Sequence, residues 1–121
     1  MSFTLKEKSI LITGASSGIG KAVAQECATA GANCIITARN ESRLKQTLES
    51  LTGDNNQLLI ADLCDNEAIV NLVDSLPKLD GAVLCAGIFE PKMLKFTNDQ
   101  DLIKLFETNV FSVIRIVREL I

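Results

Sequence analysis

Residues 13–20 read TGASSGIG and follow directly on a short run of Ile and Leu. The glycines at positions 14, 18 and 20 give this segment a backbone freedom that other residues lack. The preceding residues 9–13 have the composition of a buried strand, and an apolar pattern of helical period begins at about Gly18. A strand, a glycine turn and a helix in this order favour α/β folds in which helices cover a parallel sheet.

Further apolar runs continue this alternation of strands and helices along the chain. We predict strands over 9–13, 33–38, 58–61 and 79–85, and helices that start near Gly18, Asn40, Asp65 and Thr97. Right-handed crossovers between parallel strands then give the strand order 3-2-1-4. The predicted fold class is therefore α/β, the N-terminal half of a Rossmann-type doubly wound parallel sheet, with residues 1–121 forming one partial, truncated domain.

The first two helices carry clear boundary signals. Gly31 is predicted to end the first helix, and the apolar face of that helix is predicted to consist of Ile19, Val23 and Cys27. Asn40 is a typical N-cap for the second helix, in which Leu44, Leu48 and Leu51 fall on one face.

The last two helices are predicted in the same way. Asp65 to Leu76 forms the third helix, which Pro77 stops. Residues 97–100 have the spacing of a capping box for the fourth. The predicted inward positions of this fourth helix are Leu102, Phe106, Asn109 or Val110, Val113, Val117 and Leu120. No stop signal follows, so we expect the chain to end inside a helix.

Composition narrows the classes of function. Hydrophobic residues make up 47% and charged residues 22% of the chain, which is typical of a folded domain. The net charge of −3 provides no global attraction for nucleic acid or an anionic membrane. Histidine is absent and the four cysteines lack metal-ligand spacing, so we expect no metal site. No signal peptide or membrane span is visible, and we predict a cytoplasmic protein.

The glycine segment itself points to a bound anion. Gly14 would permit the tight turn, Gly18 would let the backbone approach a pyrophosphate, and Gly20 would allow the helix to pack closely on the strand. Backbone N–H groups at the helix N-terminus, including those near Ser16, Ser17 and Ile19, favour negative charge. The alternative is an ordinary glycine turn at a strand end, which the strand-turn-helix context makes less favoured.

The TGASSGIG segment resembles the fingerprint of the short-chain dehydrogenase/reductase family, and the similarity extends over the whole chain. The resemblance implies that Asp62, with its neighbour Leu63, contacts the adenine ring. It also places Cys85, Ala86 and Gly87 at the cofactor, where the family has the end of an NNAG motif. Asp62 could equally cap the following helix, and Cys85 could be either a reactive thiol or a small buried residue.

Asn109 lies where the family carries the Asn of its catalytic tetrad. The resemblance implies that this residue bends its helix and helps to hold a water near the catalytic Lys. Its position among apolar residues also allows a purely structural role, in which a buried amide must find hydrogen-bond partners.

Two departures from the family pattern affect these expectations. The paired asparagines before Ala-Gly are replaced by Leu84 and Cys85, which removes polar groups that would tie the central strands together. The sequence also contains no tyrosine, whereas the family's Ser, Tyr and Lys lie further along a chain of about twice this length. We therefore expect the 121-residue chain to have no dehydrogenase activity by itself.

Cofactor preference is predicted from the end of the second strand. NAD-specific folds usually place an acid about 20 residues beyond the glycine loop, where it binds the ribose 2′-hydroxyl. Here Ala38 is followed by Arg39, which could grip a 2′-phosphate, with Lys21 and Arg43 adding positive charge. Arg39 could instead be an ordinary exposed loop arginine. We predict a preference for NADP(H) over NAD(H).

By this resemblance, the intact protein would transfer hydride between NADP(H) and a carbonyl or secondary alcohol, like the 3-oxoacyl-carrier-protein reductases. Its partners would be such a small molecule and further copies of itself in a homo-oligomer. A non-catalytic nucleotide-sensing or protein-interaction module is the alternative. The segment from Phe89 to Lys95 could line one wall of the substrate cleft, although its sequence identifies no ligand.

Overall fold

The computed structural model describes residues 3–121. Its centre is one sheet of four parallel strands: β1 (Ser9–Thr13), β2 (Asn33–Ala38), β3 (Gln57–Ile60) and β4 (Gly81–Leu84). The strand order is β3-β2-β1-β4, which confirms the predicted order and fold class. Register places Thr13 opposite both Thr37 of β2 and Leu84 of β4, so the carboxyl ends of these strands meet at one edge.

Helices connect the strands and continue after the last one. Their bounds are α1 (Gly18–Thr29), α2 (Glu41–Glu49), α3 (Asn66–Asp74), α4 (Asp99–Phe106) and α5 (Ser112–Leu120). A short 3₁₀ turn, Leu94–Phe96, precedes α4, and a π-helical turn, Glu107–Phe111, joins α4 to α5. No described helix has both the length and the apolar character needed to cross a bilayer.

Apolar side chains fill a layer on each face of the sheet. On one face, Ile10, Ile12 and Ile36 pack with Ala24 of α1 and Leu44 of α2. On the other, β3 and its following loop pack with α3 and α5 through Ala61, Leu63, Ile69, Leu72 and Ile116. Burial on both faces explains why the strands consist of continuous apolar runs rather than alternating patterns.

The predicted apolar face of α1 is partly wrong. The fully buried positions are Gly20, Ala24 and Ala28, whereas Ile19 is 78% exposed. Val23 and Cys27 are partly buried beside this row. Small residues face the sheet because α1 lies very close to it, and this close approach turns Ile19 away from the core.

The start of α4 also differs from the prediction. The N-cap is Asn98 rather than Thr97, and its side-chain oxygen accepts a hydrogen bond from the backbone N–H of Asp101 at 2.9 Å. The Asp101 carboxylate in turn accepts from the backbone N–H of Asn98 at 3.0 Å. A capping box therefore exists, one residue later than predicted, because a short acid at the third helical position can also close it.

The predicted inward face of the last helix is mostly wrong. Leu102, Phe106 and Val110 are exposed, whereas Leu120 packs against the core cluster that contains Ile116. Ser112 and Ile116 are buried, one position before the predicted Val113 and Val117. Val117 is 44% exposed. A π-helical turn holds one more residue than an α-helical turn and changes the direction of later side chains, but the exposed Leu102 and Phe106 show that the predicted face already fails before this turn. The sequence pattern assumed an unbroken helix.

Burial of the Cys34 thiol makes the stability of the fold depend on pH in a way that can be measured. It lies fully buried beneath α1, with its sulfur 3.7 Å from the carbonyl oxygen of Ala24. Burial, aided by the nearby Cys27, raises the pKa of Cys34 from its ordinary value near 9 to about 11. The neutral thiol is thus favoured in the folded state.

We expect this stabilisation to be complete below pH 9 and to be lost as the pH rises toward 11, because only the unfolded chain ionises Cys34 in that window. Between pH 8 and pH 10.5 the unfolding free energy should fall by about 1–2 kcal/mol more in the unaltered chain than in Cys34→Ala. Urea titrations at both pH values measure this, and identical pH dependence of the two proteins would contradict it.

Candidate functional site

The turn between β1 and α1 depends on glycine conformations. Gly14 has φ +64° and Gly18 has φ +56°, both in the left-handed region where side chains with a Cβ are strained. Gly20 lies in ordinary helical backbone but leaves no room for a side chain, because a Cβ there would lie 2.2 Å from the Gly14 carbonyl oxygen. Gly20 therefore lets the first turn of α1 rest on the end of β1.

Gly14 is confined on its other side by β4. A Cβ on Gly14 would lie 2.7 Å from both the backbone nitrogen and the Cα of Ala86. By contrast, a Cβ on Gly18 would meet nothing within 4 Å, because Gly18 faces open space. Gly14 and Gly20 thus hold three backbone segments together, and Gly18 leaves a gap in front of the helix N-terminus.

This N-terminus of α1 has an uncompensated positive end. Its N-cap residue, Ser17, is extended and its side chain makes no capping hydrogen bond. The first turn of α1 contains no acidic residue. The backbone N–H groups and the helix dipole therefore attract an anion in the space before Gly18.

A cleft of about 740 Å³ opens in front of this N-terminus, at the carboxyl ends of the strands. Ligands of doubly wound sheets bind at this edge, in the crevice between the first and fourth strands where the strand order reverses. Twelve of the residues named above as cofactor-binding candidates line the cleft: Gly14, Ser16, Ser17, Gly18, Ile19, Gly20, Arg39, Asp62, Leu63, Cys85, Ala86 and Gly87. Lys21, which is predicted from the sequence to add positive charge there, does not line it.

Two arginines border the cleft on the β2 side. Arg39 follows β2 directly, and Arg43 lies in the first turn of α2. Within residues 3–121 neither forms an ion pair with an acidic side chain. The Asn40 side chain between them caps α2, accepting from the backbone N–H of Arg43 at 3.0 Å, which fixes the backbone that carries both guanidinium groups.

The loop after β3 supplies the next wall through Asp62 and Leu63. The N-cap of α3 is Asp65, not Asp62, since Asp65 accepts a hydrogen bond from the backbone N–H of Glu67 at 3.0 Å. Asp62 instead accepts from the backbone N–H of Cys64 at 3.0 Å and stays exposed at the cleft. Leu63 is buried in the core below it.

A hydrogen bond that the sequence analysis did not predict connects β1 to the segment after β4. The Thr13 hydroxyl oxygen accepts a hydrogen bond from the backbone N–H of Ala86 at 3.2 Å. Leu84 packs against the apolar core on the α3 and α5 face. Thr13 therefore provides a polar tie between the central strands at the position where Leu84 and Cys85 cannot.

Asn109 lies in the π-helical turn and is exposed, so its predicted burial on an apolar face is wrong. Its side-chain oxygen accepts from the backbone N–H of Ile88 at 2.8 Å, and its amide nitrogen donates to the Ile88 carbonyl at 2.9 Å. A Cβ on Gly87 would lie 3.1 Å from the same Asn109 oxygen. Asn109 thus holds the segment after β4 by its backbone.

Sequence reasoning missed several cleft residues. Asn40, Ile88 and Thr108 also line it, and Thr13 holds one of its walls. Thr108 precedes Asn109 and Ile88 follows Gly87, so closeness to residues already singled out was the available signal. Among residues 3–121, no three His, Cys, Asp or Glu side chains are placed to hold a metal ion.

The fold is that of a Rossmann-type α/β domain, with a glycine turn at the N-terminus of α1 and a cleft at the carboxyl ends of the strands. Comparison with known proteins identifies the family. The family model for short chain dehydrogenase matches residues 8–121. The chain is 34% identical to the uncharacterized oxidoreductase YvaG of Bacillus subtilis over 98% of its length, and 38% identical to the 3-oxoacyl-(acyl-carrier-protein) reductase FabG of Rickettsia felis over 88%. The chain belongs to the short chain dehydrogenase family.

Solved structures agree with this assignment. An oxidoreductase of Escherichia coli, yciK, superposes with a TM-score of 0.88 at 30% identity, covering 100% of this chain and 54% of its own. An actinorhodin polyketide ketoreductase with NADPH gives a TM-score of 0.89 at 27% identity, covering 94% and 46%. The chain spans 46% of the length of YvaG and 44% of that of FabG.

The glycine contacts predict different consequences for alanine at two nearby positions. Gly20→Ala should destabilise the fold by about 2–3 kcal/mol, because its Cβ collides with backbone that cannot yield without moving α1. Gly18→Ala meets open space and should cost only the positive φ, about 1 kcal/mol. Urea unfolding of both variants measures the difference.

Gly53→Ala is the matched control, because Gly53 has φ +94° and its Cβ would approach only the Asn56 side chain, at 3.9 Å. It reports the cost of a positive φ without crowding and should cost at least as much as Gly18→Ala, because φ +94° lies outside the left-handed α region that contains Gly18 at φ +56°. A Gly20→Ala variant as stable as these two would show that the contact between α1 and the turn is looser than the structure indicates.

Proposed function

We propose that this chain binds NADP(H) and forms the cofactor-holding part of an oxidoreductase that transfers hydride between the nicotinamide and a carbonyl or secondary alcohol. The observation that carries the proposal is the open space in front of Gly18. There an α1 N-terminus without acidic residues faces a cleft bordered by two arginines. Phosphate groups fit both ends of this arrangement.

The residues present fit a phosphorylated dinucleotide. The backbone around Ser16, Ser17 and Gly18 would hold the pyrophosphate, since a side chain at Gly18 is absent where close approach is needed. Arg39 and Arg43 would hold the 2′-phosphate by charge-assisted hydrogen bonds. The loop with Asp62 and Leu63 would border the adenine ring.

The nicotinamide end would lie along Cys85, Ala86 and Gly87, on the wall that Thr13 and Asn109 hold in place. When bound, the cofactor supplies the hydride chemistry. The role of this chain's residues is to orient that wall and to position the phosphates. No tyrosine occurs among the 121 residues, so the proposal assigns the chain cofactor binding without turnover.

The family relatives support this proposal at a coarser level. FabG of Rickettsia felis is named as a 3-oxoacyl-(acyl-carrier-protein) reductase, and the actinorhodin ketoreductase was solved with NADPH. The proposed substrate is accordingly a small carbonyl compound or alcohol, and the proposed assembly is a homo-oligomer. The four free thiols suit a reducing cytoplasm, which is the proposed location.

The preference for NADP(H) is tested at Arg39. Arg39→Ala should weaken NADPH binding about tenfold and leave NADH binding nearly unchanged, because only NADPH carries the 2′-phosphate. Calorimetric titration of both nucleotides gives the two affinities. Arg118→Ala is the control, since Arg118 is an exposed arginine of α5 that does not line the cleft.

Equal affinities of the unaltered chain for NADPH and NADH would contradict the proposed preference. A folded chain that binds neither nucleotide would contradict the proposal as a whole.

The pyrophosphate position is tested at Gly18. Gly18→Ala should remain folded yet lose at least about tenfold in NADPH affinity, because its Cβ points into the space assigned to the phosphates. Gly53→Ala, which also places alanine at a positive φ but at a residue that does not line the cleft, should bind NADPH like the unaltered chain. Unchanged affinity in Gly18→Ala would place the nucleotide elsewhere.

A further inference from the structure

The π-helical turn Glu107–Phe111 places Asn109 against Ile88, and hydrogen bonds within the helix show how this turn is built. The backbone N–H of Ser112 donates to the carbonyl of Glu107, five residues back, instead of Thr108, four residues back. The Ser112 hydroxyl donates to the Thr108 carbonyl at 2.6 Å. Ser112 is buried, so its hydroxyl satisfies the acceptor that the wider turn would leave unpaired.

An ion pair spans the same turn. The Arg115 guanidinium lies 2.7 Å from the Glu107 carboxylate, and both side chains are less than one-third exposed. In a regular α-helix, residues eight apart point about 80° away from each other. The additional residue of a π-helical turn reduces this difference to about 20°. Glu107 and Arg115 therefore share one side of the helix because the turn is π-helical.

Aromatic contacts reinforce this geometry. The Arg115 guanidinium lies 5.9 Å from the centre of the Phe111 ring. The Phe111 ring is in turn 6.2 Å from the ring of Phe106, on the other side of the turn. Arg115 thus contacts a carboxylate and an aromatic ring that both belong to the π-helical turn. Substitution of Arg115 would remove both contacts and favour a regular α-helix.

We propose that Glu107 and Arg115 are positioning residues, which keep the π-helical turn in place and thereby hold Asn109 on Ile88. Without the turn, the side chains from Asn109 onward would point in other directions, and the double hydrogen bond to Ile88 would break. The segment of Ala86 to Ile88 lines the cleft. An effect of these residues on nucleotide binding rests on the proposed function, whereas their effect on the hydrogen bonds between Asn109 and Ile88 does not.

Hydrogen exchange of the Ile88 amide, measured by NMR on the 121-residue chain, tests the positioning role, because Asn109 accepts from this N–H. Glu107→Gln and Arg115→Met should each accelerate its exchange about fivefold to tenfold, and Asn109→Ala should accelerate it at least as much. The amide of Leu11, a fully buried residue of β1, should keep its exchange rate.

Two further variants distinguish the effect of the ion pair between Glu107 and Arg115 from the effect of changing a charged residue anywhere in the chain. Exchanging the charges, with Glu107→Arg and Arg115→Glu in one protein, should restore slow exchange at Ile88 to within about twofold. Glu41→Gln breaks the exposed pair of Glu41 with Lys45 in α2 and should change nothing at Ile88. Unchanged Ile88 exchange in Glu107→Gln and Arg115→Met, or equal acceleration at Leu11, would overturn the proposal.

NADPH affinity supplies a second measurement. Glu107→Gln and Asn109→Ala should each weaken binding, and the double variant should be no weaker than Asn109→Ala alone, because both act through Ile88. If the losses of NADPH affinity in the two single variants added up in the double variant, Glu107 and Asn109 would not act through the same contact with Ile88. If the unaltered chain binds no NADPH, the proposed function fails, while the exchange measurement still decides the role of Glu107 and Arg115.

Discussion

Three backbone segments are in direct contact at the carboxyl end of the sheet, and this contact sets the positions of α1 and of the cleft. The first turn of α1 lies on Gly14 through Gly20, and Gly14 lies on Ala86 at the end of β4. No side chain fits at either contact. This close approach sets the distance of α1 from the sheet, selects the alanines that face it, and opens the carboxyl ends of β1 and β4 into a cleft.

Electrostatics then give the cleft its chemical character. The N-terminus of α1 provides unpaired N–H groups and no acidic residue, and Arg39 and Arg43 face the cleft from the β2 side. The two positive regions belong to different βα units, yet they border one space because parallel strands bring their carboxyl ends together. Membership of the short chain dehydrogenase family is consistent with this arrangement.

The end of β4 is held by contacts with two other parts of the fold. The Thr13 hydroxyl ties β1 to the segment that follows β4, and Leu84 contributes to the core. The wall beyond β4 is held by Asn109 through the backbone of Ile88. The cleft is thus supported from β1 on one side and from the π-helical turn on the other.

The sequence predicts the alternation of strands and helices, because glycine turns, caps and apolar runs act over a few neighbouring positions, and it predicts the strand order through the handedness of crossovers between parallel strands. It also predicts most of the residues that line the cleft, but not Asn40, Ile88 and Thr108. It did not determine which side of α1 is buried, since Gly20 brings the helix too close for larger side chains. Nor did it determine which side chains of the last helix face the core, before or after the π-helical turn. A π-helical turn depends on packing, on the Ser112 hydroxyl and on an ion pair across eight residues, and a pattern of period 3.6 carries no record of such contacts.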